Sequence, residues 1–254
     1  MVVKISIIMS VFNGMPLMKE AVESIQKQTF RDFELLVVND CSTDETKRAL
    51  HSFSDSDDRI RIIENKNNLG LAASLNKAWQ SAEGEFIARM DSDDISEPQR
   101  LEEQVKYLEK REDVVVLGTS ATLINQKSET IGRSLRRESH GDLIKHMGTE
   151  NPFFHSSVMM RRRFLVETGG YDKSFRRSQD YDLWSRGLGV GKYHNLQEYL
   201  LKYRVADALS WSTIYWGSYS KFCHARRQKN WLLSLWYPTR YMMGSVATKY
   251  HLKK

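Results

Sequence analysis

EFIARMDSDDIS, residues 85–96, joins a short apolar run, Phe86 to Met90, to three carboxylates at Asp91, Asp93 and Asp94. In an open α/β sheet, ligands gather at the carboxyl ends of the strands. Two carboxylates spaced i, i+2 in such a turn can face one divalent ion, and hard oxygen donors suit Mg²⁺ or Mn²⁺. The plainer reading is an Asp-rich turn whose side chains cap the next helix, and for an acidic turn taken alone that is the commoner case.

Working outward, the flanking sequence repeats one pattern. KISIIMSV (4–11), FELLVV (33–38) and RIRIIEN (59–65) are apolar, β-branched runs of strand length, as expected of strands buried on both faces. Between them, Met18, Val22 and Ile25 fall at helical spacing, and LAASLNKAWQSAEG follows Asn68-Leu69-Gly70 with helical composition. Ser42 with Glu45, and Ser96 with Gln99 around Pro98, are capping-box patterns that predict helix starts. Strand and helix thus alternate across residues 4–113, which predicts a parallel sheet with helices on both faces. Three strand ends carry polar tips, Ser10 to Asn13, Asn39-Asp40 and Asp91 to Asp94. Such tips line one crevice, which shifts the balance toward a binding site. Farther on, VVVLGT (114–119) predicts a strand and ATLIN to ETIGR a hairpin about Gln126 to Ser128. A short helix at 140–148, a strand near Ser157 to Met160, a helix closed by Gly169-Gly170, another from SQDYDLWSR and a strand at 196–205 follow.

Bulk properties narrow the function. The chain has 254 residues, 41% hydrophobic and 28% charged, ordinary for a globular protein. Cys41 and Cys223 match no metal spacing and predict free thiols in a cytoplasmic protein. The apolar start lacks a small-residue cleavage site and reads as a strand, and no apolar run approaches the roughly 20 residues that span a bilayer. Of the net charge of +6, residues 211–254 alone supply +8, with no Asp or Glu, so the body is slightly acidic. It offers no electrostatic case for a nucleic-acid groove.

Five ordered motifs, SIIMSVFNG, VVNDCSTDET, NLGLAASLN, ARMDSDDISEPQRLEEQ and SQDYDLWSR, resemble the family 2 glycosyltransferases, inverting enzymes of GT-A fold that use nucleotide-sugar donors. The resemblance spans residues 4–205. It implies an α/β fold with a Rossmann-like, mostly parallel central sheet flanked by helices. The catalytic domain would cover 1–210, with a nucleotide-binding half (1–113) and an acceptor-binding half (114–210), before a C-terminal helical extension (211–254). Residue by residue, Ser10, Val11, Phe12 and Asn13 resemble the segment against the base and ribose, and Asp40 the aspartate that pairs with the uracil N–H. Gly70 and Asn76 border the nucleotide. Asp91-Ser92-Asp93 matches the D-x-D motif, Asp91 near the ribose and Asp93 on the metal; Arg89 holds the diphosphate or pairs with Asp91, and Asp94 supports or caps. Asp180 resembles the base that deprotonates the acceptor hydroxyl, with Asp182 as the fallback. Here the chain departs from the pattern: Gln179 stands where the family commonly has Glu, and Cys41 where glycine is frequent after the aspartate. His155 could touch the diphosphate or acceptor or be structural, and His194 is a weaker candidate for a third metal ligand.

The activity so implied is metal-dependent (Mn²⁺ or Mg²⁺), inverting transfer from a nucleotide-sugar, most simply a UDP-sugar. The acceptor would be a hydroxyl of a polysaccharide or lipid-linked oligosaccharide. A non-catalytic nucleotide- or glycan-binding relative is one rival. A nucleotidyltransferase is another, disfavoured because SVFNGMPLMKE lacks a Gly-rich basic phosphate loop. Residues 211–254 mix Trp211, Trp216, Trp231 and Trp236 with basic residues. That suits either a helix lying on an anionic membrane, on the inner face of the plasma membrane, or helices packing on the body or a second subunit.

Overall fold

The computed structural model describes residues 3–206 and 210–229, together with Trp236, Thr239, Arg240 and Met242. The first half winds as its apolar pattern predicts. Strands β1 (Ile5–Val11), β2 (Phe33–Asn39), β3 (Ile60–Glu64) and β4 (Phe86–Arg89) alternate with helices α1 (Leu17–Gln26), α2 (Thr46–Ser56) and α3 (Leu71–Gln80), and α4 (Arg100–Lys110) follows. β1 pairs in parallel with both β2 and β4, and β2 with β3. Successive strand residues face opposite sides. Ile5, Ile7, Met9 and Val11 therefore pack with Met18, Val22, Ile25 and Leu101 in one core, while Ile8, Leu36 and Val38 join Leu75 and Ala78 in the other.

The second half is mixed. A two-residue strand β5 (Ile95–Ser96) precedes α4. After it come β6 (Val114–Ile124), β7 (Thr130–Ser134), α5 (His140–His146), a 3₁₀ turn (His155–Ser157), β8 (Met159–Arg161), α6 (Arg162–Thr168), α7 (Gln179–Arg186), β9 (Lys192–Arg204) and α8 (Trp211–Arg227). The sheet order is β3-β2-β1-β4-β8-β6-β9-β5, with β7 on β6. β6 and β9 are parallel, whereas β8 is antiparallel to β4 and β6, and β5 to β9. The mostly parallel sheet anticipated from the sequence thus holds for β1 to β4 and becomes mixed beyond them. The chain winds outward from β1 to β3 and then jumps to β4 on the other side of β1. That reversal opens a crevice at the strand ends, the usual place for a ligand.

Local patterns yielded to tertiary partners in several places. Neither capping box forms: α2 begins at Thr46, whose N–H is held by Asp44 Oδ1 at 3.0 Å, and Ser42 Oγ instead accepts from Asn13 N. Ser96 lies in β5 and accepts from the buried Gln28 side chain at 3.0 Å, so α4 starts only at Arg100. The strand expected at 114–119 runs unbroken to Ile124 before turning into β7. Cys41 and Cys223 are free thiols. The first part of the basic tail, α8, docks on α7; the remainder of the tail expectation lies outside the described residues apart from Trp236, Thr239, Arg240 and Met242. Among the described residues no helix is long and apolar enough to cross a membrane.

Candidate active site

The tips of β1 and β2 are laced together. Asn13, at φ 51°, accepts from Thr43 N through its side-chain carbonyl at 2.8 Å, and Val11 O accepts from Asp40 N at 2.8 Å. Ser10 is half-buried, Val11 is buried, and Phe12 stands 51% exposed at the rim. Asp40 is 2% exposed, and its carboxylate accepts from Asn65 Nδ2, Leu69 N and Gly70 N, each at 2.8 Å. Three of about four acceptor positions on a carboxylate are thereby filled, so Asp40 orders the 65–70 loop and keeps one position on Oδ2. Gly70 adopts φ 83°, ψ 164°, a region open essentially to glycine alone. Cys41 takes φ 65°, the left-handed conformation that explains why glycine suits that place.

At the end of β4, Arg89 is fully buried and donates to Asp91 Oδ1, while its Nε and Nη1 find no partner among the described residues. Of the two roles the resemblance allowed it, the structure gives pairing with Asp91; a side chain with no exposed surface does not reach a diphosphate directly. Ser156 Oγ donates to Asp91 Oδ2 and accepts from Asp91 N, both at 2.8 Å. Burial pushes the Asp91 carboxyl up, but Arg89, His155 and these hydrogen bonds outweigh it and hold it below the ordinary range. Arg100, buried beneath, donates to Arg89 O and Ser156 O. Asp94 is 1% exposed and accepts from Arg204 N at 2.7 Å, and burial beside Asp91 and Asp93 drives it well up. It is the supporting group of the three.

Asp93 differs from both. Its side chain is exposed at the crevice mouth, with no hydrogen-bond partner among the described residues, while Arg204 Nε holds its backbone carbonyl at 2.7 Å. The surrounding protein and the Asp91 carboxylate push Asp93 up. Ser92 is half-buried in the same turn. Among the described residues no three His, Cys, Asp or Glu side chains gather as a metal cage. One open carboxylate beside a partly engaged one fits a different arrangement, in which Mg²⁺ or Mn²⁺ keeps waters and is shared with substrate phosphates.

Across the crevice, α7 opens with Ser178 at φ 58° and carries Asp180 and Asp182 in its first turn. Two residues apart on a helix, they point different ways. Asp182 is fully buried between Arg186 (2.8 Å) and Arg227 (2.6 Å), which removes it as an alternative base. Asp180 is half-buried and accepts a single side-chain bond, from Asn151 Nδ2 at 2.7 Å. His155 lies between the two walls, within electrostatic reach of Asp91 and Asp180 and 2.9 Å from the Tyr171 hydroxyl; burial pulls it down to about 4, so the ring is neutral near pH 7. Tyr203 feels Asp91, Asp93, Asp94 and Asp180 together. The D-x-D turn and Asp180 are therefore both within electrostatic reach of Tyr203 and His155.

Asn76 and His194 are engaged within the protein. Asn76 is 6% exposed and its amide clamps Tyr171, donating to the carbonyl (2.7 Å) and accepting from the N–H (2.9 Å). Gly170 is glycine because a Cβ there would meet Trp79 and Asn76 at 2.5–2.6 Å. His194 stacks on Tyr107 at 4.7 Å and lies on β9 about ten residues, roughly 30 Å of extended strand, before the Arg204 that touches Asp93. That separation sets it apart from Asp93. Conversely, Ser156, Arg136, Arg204 and Lys221 escaped the sequence reading. Lys221 of α8 is 2% exposed, 4.1 Å over the Tyr181 ring, and burial lowers its amine to about 7 despite the pull of Asp180 and Glu150.

The switch-point crevice, the laced strand tips and the facing acidic groups define an α/β protein of the GT-A type. The glycosyl transferase family 2 model matches residues 6–170, and the chain belongs to that family. It is 38% identical over 205 residues to EpsE of Bacillus subtilis (strain 168), which carries a glycosyltransferase name, covering 79% of this chain and 73% of EpsE. To the O-antigen biosynthesis glycosyltransferase WbnJ of Escherichia coli it is 35% identical over 207 residues, covering 79% of each. In fold it is similar to S. aureus TarS (residues 1–349) in complex with UDP-GlcNAc, with TM-score 0.72, 20% identity and coverage of 88% of this chain and 65% of that one. It is also similar to the mannosyltransferase PcManGT of Pyrobaculum calidifontis in complex with GDP-Man and Mn²⁺, with TM-score 0.64, 19% identity and coverage of 89% and 64%. The chain spans about two thirds of those two structures.

Proposed function

We propose that this glycosyltransferase moves a sugar from a UDP-sugar to a hydroxyl of a surface polysaccharide or lipid-linked oligosaccharide, inverting the anomeric centre. The observation that carries this reading is that Tyr203 lies within electrostatic reach of Asp93 and of Asp180, which brings the turn after β4 and the start of α7 near one another. On the donor wall, Asp40 orders the loop beside the base and keeps one acceptor position for a ring N–H, a short charge-assisted bond. Asp93, with Asp91 behind it, would hold a divalent cation, which supplies Lewis-acid stabilisation of the diphosphate leaving group. On the acceptor wall, the half-exposed Asp180 accepts the hydroxyl proton as the oxygen attacks C1 opposite to the departing diphosphate. Asn151 fixes the rotamer of Asp180, and neutral His155 separates the two carboxylate sets without adding charge. The exposed Trp211, Tyr215 and Tyr219 of α8 and the acid-free tail support presentation of the acceptor at an anionic lipid surface.

Calorimetric titration of UDP in Mn²⁺ and then in EDTA tests the donor site. Metal-dependent binding in the micromolar range is expected, and absence of binding in both conditions removes UDP as the donor nucleotide. GDP, which accompanies mannose in one similar structure, is then the next ligand to titrate.

A further inference from the structure

Beside Asp180, the β7–α5 connection and the Glu150–Pro152 segment enclose a cavity of about 310 Å³. That is the lower end of the range for small-molecule sites, enough for one sugar ring. Its wall includes Asn151, the residue that donates to Asp180, so one hydrogen-bonded residue joins the cavity wall to that carboxylate. The charges lining it are unbalanced. Arg137 and Glu150 form a two-bond pair at 3.1 Å and neutralise each other. Arg136 does not share that partner. Its guanidinium lies 3.8 Å over the Phe154 ring, with Nε buried and unbonded, and the guanidinium makes no hydrogen bond or ion pair among the described residues. Glu150 and Asp180 are the carboxylates that act on it; the D-x-D carboxylates are not among them.

An arginine stacked on an aromatic face is held in orientation while its donor edge stays open. Its planar fork matches a carboxylate or phosphate with two parallel hydrogen bonds. In an inverting displacement the group on the base side of the sugar is the acceptor, whereas the diphosphate leaves from the opposite face. On that basis, and resting on Asp180 as the base, we propose that the acceptor carries an anionic group near its attacking hydroxyl, a carboxylate or a phosphate, and that Arg136 binds it in this cavity. The acceptor residue is then an acidic or phosphorylated sugar.

Three probes test this by NMR titration of the labelled protein saturated with UDP and diamagnetic Mg²⁺: methyl glucuronide, glycerol 1-phosphate and neutral methyl glucoside. One anionic probe at least should bind tenfold or more tighter than methyl glucoside, with shifts at Arg136 and Asn151. Which of the two prevails separates carboxylate from phosphate. Arg136→Gln should abolish that preference and Arg136→Lys should retain part of it, with melting temperature unchanged and UDP affinity within twofold. Equal binding of all three probes overturns the proposal. So does displacement of the anionic probe by UDP, or a tenfold loss of UDP affinity in Arg136→Gln, since either places Arg136 on the donor diphosphate. Failure of UDP itself to bind would instead sink the donor-site reading, and the same titrations without nucleotide would still report on Arg136.

Discussion

The two walls of the crevice follow opposite electrostatic plans. On the donor wall the acids are committed: Asp40 to three N–H donors, Asp91 to Arg89 and Ser156, Asp94 to Arg204, leaving Asp93 open. On the acceptor wall Asp180 holds one amide bond while two desolvated cations, Arg136 and Lys221, stand close enough to act on the same carboxylates, Asp180 and Glu150. A wall of pre-bonded acids is rigid before ligand arrives, because each rotamer is fixed by the protein. A wall of partly buried cations is poised for an anion. One side of the crevice is thus finished in advance and the other is completed by what binds there.

The sharpest way to break this contrast is to change the neighbours Asp180 and Asp182 separately. Asp180→Asn should lower sugar transfer by about 10²–10⁴-fold with UDP affinity and melting temperature retained; transfer at the normal rate would withdraw the base assignment. Asp182→Asn should act on stability instead. It strips the partner from Arg186 and Arg227 and should cost about 2–4 kcal/mol in chemical denaturation, toward the low side of the range for buried pairs because both guanidiniums keep some solvent. Equal stability losses in the two variants would dissolve the distinction.

A smaller effect is expected on the donor wall. Gly70→Ala meets nothing within 4 Å, so its cost is conformational, about 1–3 kcal/mol. Because Gly70 N is one of the donors to Asp40, UDP binding should weaken with it; unchanged UDP affinity would separate the 65–70 loop from the base pocket. The smallest effect concerns pH. His224 of α8 bonds Ser185 at 3.0 Å, and burial with Lys221 and Arg227 nearby lowers it to about 4. Unfolded histidine binds its proton near 6.5 while the folded one resists to about 4. The unfolded chain therefore binds more protons in that window, and stability falls as pH drops through it. His224→Gln should flatten the denaturation midpoint between pH 6.5 and 4 by on the order of 1–2 kcal/mol; an unaltered slope would assign it to other groups.

How much of this was legible follows from what each residue contacts. The β1 to β4 winding was readable because strands buried on both faces are continuous apolar runs, and the D-x-D turn announced itself by position at a strand end. The capping boxes failed because Ser42 and Ser96 are recruited by Asn13 and Gln28, partners no local pattern contains. Asn76 looked like a nucleotide neighbour from its segment, yet its amide serves a residue 95 positions away. Arg136 has a loop sequence like any surface arginine; stacking on Phe154 and a guanidinium Nε with no hydrogen-bond partner among the described residues single it out, and both are tertiary facts. Ser156 and Arg204 share that character, each a polar residue that becomes informative once its contacts with Asp91, Asp93 and Asp94 are known.

Arg204 fastens the D-x-D turn from the last residue of β9, and reaches Asn125, Ser128 and Glu20 with the rest of its guanidinium. On the ribosome this imposes a schedule. The first four strands can emerge and pair while Asp93 and Asp94 still lack their clasp, and the turn that bears them is finished only after residue 204 leaves the exit tunnel. That turn is thereby completed at a stage when α7, with Asp180, has already been made.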